Sequence, residues 1–173
     1  MNRPLRAPSV TPLDLRHAAS RFATGVALVT APGGRALVVD SFISVSLEPP
    51  LVAFAATRTS LTWRGMRRTG RFGVSVLDAA RAGDIRERAR PGADRLAGLD
   101  VELLDGVPVV SDALAALVCT IETEHPAGDH SIVLGRVIAI RHGDERPPLV
   151  FFGGDFTTIP RRPPDGAYRP RAQ

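Results

Sequence analysis

The residues able to do chemistry are few. The chain of 173 residues has four histidines (His17, His125, His130 and His142) and one cysteine, Cys119. Only His125 and His130 lie close together, with Asp129 beside the second. That spacing is a weak metal signal, because a loop histidine more often bonds the backbone. One cysteine permits no intrachain disulfide and no thiolate zinc cluster, and it suits a reducing compartment. No nucleophile elbow, zincin helix, phosphate-binding Gly-rich loop or dinucleotide fingerprint occurs. Gly153-Gly154-Asp155-Phe156 ends an apolar strand and lacks the α/β frame that a cyclase signature needs. Small hydroxyls and guanidiniums remain. Ser60 and Thr62 open a predicted helix, where free N–H groups favour an anion or simply receive a cap. Arg64, Arg67, Arg68 and Arg71 follow at i, i+3, i+4 and i+7, either reaching a pyrophosphate or forming a solvated face.

The elements that must carry these residues are short. Thr11-Pro12 with Asp14 reads as a helix start, and Leu15, Ala18, Ala19 and Phe22 make an apolar stripe, predicting a helix over 12–22. Val26–Thr30, the turn Pro32-Gly33-Gly34-Arg35 and Ala36–Ser46 read as a β-hairpin. In its second arm Ser44 and Ser46 face outward, with Phe42 and Val45 packed inside. Leu51–Ala56, Phe72–Leu77, Leu114–Glu122, Ser131–Ile140 and Leu149–Phe152 read as further strands, with helices near 60–69 and 78–88. Residues 89–100 read as a loop with one helical turn, and His125–His130 as the loop between two strands. Six or seven strands follow one another too closely for helical crossovers. A mainly antiparallel barrel or sandwich is expected rather than a doubly wound sheet.

Composition narrows the class further. Hydrophobic residues make up 44%, enough for a self-standing core over residues 12–159. The formal charge is +4, but residues 13–159 carry 16 Arg against 17 acids, so the excess lies in an arm (1–11) and a Pro/Arg-rich tail (160–173). There is no lysine. Nucleic-acid binding is therefore not expected, and neither is a membrane span or a secretory leader. The expected location is the cytoplasm.

Taken in order, several segments resemble one family. They are Arg21-Phe22-Ala23-Thr24-Gly25-Val26, then Ser41-Phe42-Ile43-Ser44-Val45-Ser46 running to Glu48-Pro49-Pro50-Leu51. Thr59-Ser60-Leu61-Thr62-Trp63 and Gly70-Arg71-Phe72-Gly73-Val74-Ser75-Val76-Leu77 follow. Ala127-Gly128-Asp129-His130, Leu134-Gly135-Arg136-Val137 and Pro148–Phe152 with Asp155-Phe156 complete the set. Together they resemble the flavin reductases that serve two-component monooxygenases. The resemblance implies a mainly β, FMN-binding split barrel of antiparallel Greek-key type, acting as a homodimer. It implies NAD(P)H-dependent reduction of FMN or FAD, with the reduced flavin passed to a flavin-dependent monooxygenase. It places the flavin against Leu37, Val38, Val39, Asp40 and Ser41, with Ser44 and Ser46 nearby. Thr57, Ser60, Thr62, Trp63, Arg95 and Phe156 complete the cofactor-binding set. Asp129 and His130 fall to the nicotinamide, with His130 as the catalytic residue, orienting the dinucleotide while hydride passes directly between the rings. Where the family commonly reads Gly-Met-Thr-Ala-Ser-Ser-Phe, this chain reads Ala36-Leu37-Val38-Val39-Asp40-Ser41-Phe42, losing hydroxyl donors and gaining an acid. A flavin binder of the same fold without reductase turnover stays open as the alternative.

Overall fold

The computed structural model describes residues 10–90 and 94–160. Helix α1 spans Pro12–Ala19 and begins as its residues dictate: the Thr11 side chain accepts from the Asp14 N–H, and Asp14 bonds back to the Thr11 N–H. None of its residues is buried, so the apolar stripe is left uncovered by the described residues.

Twelve strands follow among the described residues. They are β1 (Thr24–Gly25), β2 (Ala27–Ala31), β3 (Arg35–Val39), β4 (Ile43–Leu47), β5 (Pro50–Thr57) and β6 (Arg71–Val76). The second half adds β7 (Val101–Leu104), β8 (Val107–Val110), β9 (Ala115–Ala127), β10 (His130–His142), β11 (Leu149–Phe152) and β12 (Asp155–Thr158). Helix α2 covers Leu61–Met66 and runs into a 3₁₀ turn at Arg67–Thr69, while α3 covers Ala82–Arg88 after a 3₁₀ turn at Ala79–Arg81. Each of the two later helices is thus shorter than the sequence suggests, because its first or last turn tightens.

Seven strands form one antiparallel sheet in the order β3-β2-β6-β9-β10-β5-β4; β1-β11-β12 and β7-β8 are separate. Strands β3 and β4 lie at opposite edges of the large sheet, yet only Asp40, Ser41 and Phe42 separate them. Four residue steps reach at most about 14 Å. Seven flat strands would span roughly 29 Å at about 4.8 Å each. The sheet must therefore curl until its edges nearly meet, as a barrel with one unbonded seam. This corrects the reading of Ala36–Ser46 as one continuous arm: the chain leaves one edge and joins the other.

Two cores result. Val29, Phe54, Phe72, Val74, Cys119 and Val133 fill the barrel, and Trp63 and Met66 of α2 plug one end. Phe54 meets both Trp63 and Phe72 edge-on with ring centroids 5.3 Å apart. Outside the barrel, Leu28, Leu77, Ile85, Val110 and Leu149 form the second core. Strand β2 feeds both, which is why all five of its residues are buried. Gly135 sits at a bulge in β10 because a Cβ there would stand 2.3 Å from Cζ of Phe72.

Three further expectations are corrected. The segment His125–Ala127 is strand, and the turn is only Gly128-Asp129, with Gly128 at φ 63°. Pro126 is tolerated there because β6 pairs with β9 only as far as Thr120, leaving the outer edge free. Strands β7, β8 and β12 were not expected. Val45 is 48% exposed rather than packed inside, since the pairing of β4 with β5 shifts between Ser44 and Ser46. The arm residues 1–9 and tail residues 161–173 lie outside the described residues.

Candidate functional site

The seam is where the expected site residues gather. Asp40 and Ser41 lie beyond the end of β3 and outside both ladders, so their backbone is available to a ligand. A groove of about 380 Å³ opens there, lined by Arg16, Phe22, Thr24, Asp40, Ser41 and Phe151 among others. A second hollow of about 200 Å³ adjoins it, lined by Val26, Val38, Val39, Asp40, Ala89, Phe151 and Phe156. Phe156 meets Phe151 at 5.5 Å between centroids. Asp40 and Phe151 belong to both cavities. Apolar walls with a few polar groups suit a flat aromatic ligand.

Ser41 also fixes the scale of the site. Its Oγ accepts the N–H of Ala55 at 3.0 Å, tying the seam to β5. Two residues further along β5, about 7 Å at strand rise, lies Thr57. There the Thr57 Oγ1 stands 3.2 Å from Nε2 of His130, and Nδ1 of His130 is 2.7 Å from Asp129 Oδ1. The His130 hydrogen bond holds the Asp129 carboxyl below its usual range. The ring is thus fixed from both nitrogens on the rim of an open groove formed by Thr57, Arg58, Thr59 and Asp129.

Beyond the rim, at the plugged end of the barrel, lies a polar cavity of about 180 Å³. Arg58, Arg64 and Arg67 line it with Ser60, Trp63, Ser131 and a single acid, Glu124. Arg67 pairs with Glu124 at 3.6 Å, and Arg58 Nη1 donates to the Gly128 carbonyl at 3.2 Å. The Arg64 guanidinium has no partner among the described residues. The Trp63 indole Nε1 is buried and also makes no hydrogen bond. Two surplus guanidiniums around a small hollow suit a phosphate.

Not every expected residue joins. Leu37 packs against the barrel core. Ser44 and Ser46 lie on edge strand β4, and Thr62 on α2 beside the arginine cavity. Arg95 follows α3 and lines none of these cavities. Arg16, Arg58, Glu124 and Ser131 were not expected; β5–β10 and β9–β10 pairing brings the last two to the arginines. Cys119 is no nucleophile: burial pushes its thiol up to about 12.

The flavin reductase like domain matches residues 19–160. The reductase subunit HsaB of a flavin-dependent monooxygenase from Rhodococcus jostii is 35% identical over 159 residues, covering 88% of this chain and 80% of that protein. Among solved structures, BorF, the flavin reductase component of a bacterial two-component tryptophan halogenase, superposes with a TM-score of 0.82 at 33% identity, over 88% of this chain and 100% of BorF. SgcE6 of Streptomyces globisporus, an NADH:FAD oxidoreductase solved with NAD and FAD fragments, gives a TM-score of 0.81 at 34% identity, over 93% of this chain and 100% of SgcE6. The chain belongs to the flavin reductase-like family, and with that membership goes NAD(P)H-dependent reduction of a flavin.

Proposed function

We propose that this chain reduces FMN or FAD with NAD(P)H at the barrel seam and hands the reduced flavin to a separate monooxygenase. The observation that carries the reading is the polarity of the site along β5: an aromatic-lined groove at Asp40 and Ser41, an oriented histidine at Thr57, and an arginine cavity at Ser60. Those three zones fit a ring, a stacked nicotinamide and a phosphate in that order. A flavin bound there supplies an electrophilic ring that accepts a hydride directly. The protein needs no acid or nucleophile for that transfer. Its residues align the two rings and keep water out. His130, held by Thr57 and Asp129, orients the nicotinamide, while Ser60 and the arginines take the phosphate end. The test is nicotinamide oxidation on addition of NADH or NADPH with FMN, FAD or riboflavin. Saturable flavin binding without turnover supports the non-reductase alternative instead.

The arginine cavity gives a sharper expectation. Arg64→Gln should weaken FMN binding about fivefold to tenfold and leave riboflavin, which lacks the phosphate, within twofold. Equal losses for both ligands would place the phosphate elsewhere.

The partner is a flavin-dependent oxygenase. The assembly we propose is a homodimer. Edge strand β4 exposes Ile43 (57%) and Leu47 (89%), α1 exposes Leu15, and the turn after it exposes Phe22, an apolar surface next to the groove that a second copy would cover. A turnover-competent monomer on sizing would refute it. Among the described residues no helix is long and apolar enough to cross a membrane. A buried, unpaired cysteine suits the cytoplasm, where we place the protein.

A further inference from the structure

We propose that Asp40 sorts the two redox states of the flavin, weakening the hold on the reduced form so that the product leaves. The inference rests on the flavin reading above. Asp40 is the first residue after β3 and lines both the groove and the adjoining hollow, between Val39 and Phe151. Its carboxylate makes no hydrogen bond or ion pair among the described residues. The other charged side chain on these two cavities is Arg16 of α1, which forms no ion pair with it. The remaining lining is apolar or hydroxyl-bearing, so a flat ligand seated there strips water from the carboxylate and strengthens its field.

The charge change of the reaction makes this field selective. Hydride carries two electrons from the nicotinamide, which leaves as the oxidised dinucleotide, to a ring that is neutral before the transfer. At neutral pH the reduced ring is an anion, its charge shared over the pyrimidine edge. A fixed carboxylate in the groove leaves the substrate nearly untouched and raises the energy of the product alone. Such a residue trades product affinity for release, which is what supply of a diffusible reduced flavin requires.

The test uses the full chain and its Asp40→Asn variant, which keeps shape and removes charge at an exposed position. Dissociation constants are measured for oxidised FMN by fluorescence and for reduced FMN by anaerobic titration, together with the midpoint potential of the bound flavin. The variant should hold reduced FMN about tenfold more tightly and change oxidised FMN by less than threefold. The bound potential should then rise by about 30 mV, the equivalent of a tenfold change in a two-electron couple. Arg16→Gln should move the potential the other way. Equal shifts for the two redox states, or no shift in either, overturn the role given to Asp40 while leaving the flavin site intact. Failure of the unaltered chain to bind oxidised FMN at all overturns both. Unchanged melting temperatures would show that the fold is preserved.

Discussion

Replacing His130 by alanine should raise the KM for the nicotinamide about thirtyfold and leave the flavin Kd within twofold. The imidazole is fixed through Nε2 to Thr57 and through Nδ1 to Asp129, on the open rim rather than inside the ring groove. Its removal costs the ring face that this fixed imidazole presents to the nicotinamide, about 2 kcal/mol for a stacked aromatic contact and the area it covers. The groove proposed for the flavin is lined by other residues, so flavin binding keeps its determinants. Steady-state kinetics at saturating flavin, with a separate flavin titration, reads both quantities. Asp129→Asn should show the same pattern more weakly, because it frees the ring without removing it. Parallel losses in both ligands would mean that His130 belongs to the flavin pocket.

Arg146→Ala should destabilise the fold strongly although the arginine lies outside both apolar cores. Asp78 is 3% exposed, caps the turn before α3 by accepting from Ala80 N–H at 3.1 Å, and meets Arg146 Nη1 at 2.7 Å. Arg146 also donates to the carbonyl of Asp112. Truncation leaves a buried carboxylate without its counter-charge, at a cost of about 3 kcal/mol, the lower end of the range for a broken buried pair because the arginine is itself one-third exposed. For a domain of this size that is roughly 6–12 °C in Tm. Calorimetry of the variant checks the value. Asp78→Asn in the same background should recover part of the loss, since the asparagine keeps the cap and removes the stranded charge. A shift below about 2 °C would show that water already solvates Asp78.

Local signals were legible where the chain itself supplies both partners. Thr11, Pro12 and Asp14 close their capping box within four residues, and the apolar runs at Phe72–Leu77 and Leu149–Phe152 are strands as read. The misses have tertiary causes. Pro126 argues for a loop until β6 is seen to stop short and leave β9 an open edge. Asp105 and Gly106, at φ 47° and 76°, form the tight turn of the β7–β8 hairpin, and Pro108 in its second arm masks that signal. For the candidate site, the residues on contiguous stretches, Val38–Ser41 and Asp129-His130, were named through the family resemblance. Arg58, Glu124 and Ser131 were not, because only strand pairing across the sheet makes them neighbours.

The three-residue bridge from β3 to β4 has a consequence for how the protein matures. Its two flanking strands hydrogen-bond to β2 and β5, which neighbour opposite ends of the sheet. Asp40 and Ser41 can take up their places only when the sheet has wrapped fully round. A half-wrapped intermediate owns every side chain of the proposed ring groove and yet has no groove. The yellow ligand can therefore reward only completed molecules, stabilising the finished barrel by mass action and giving no help to the search that precedes it.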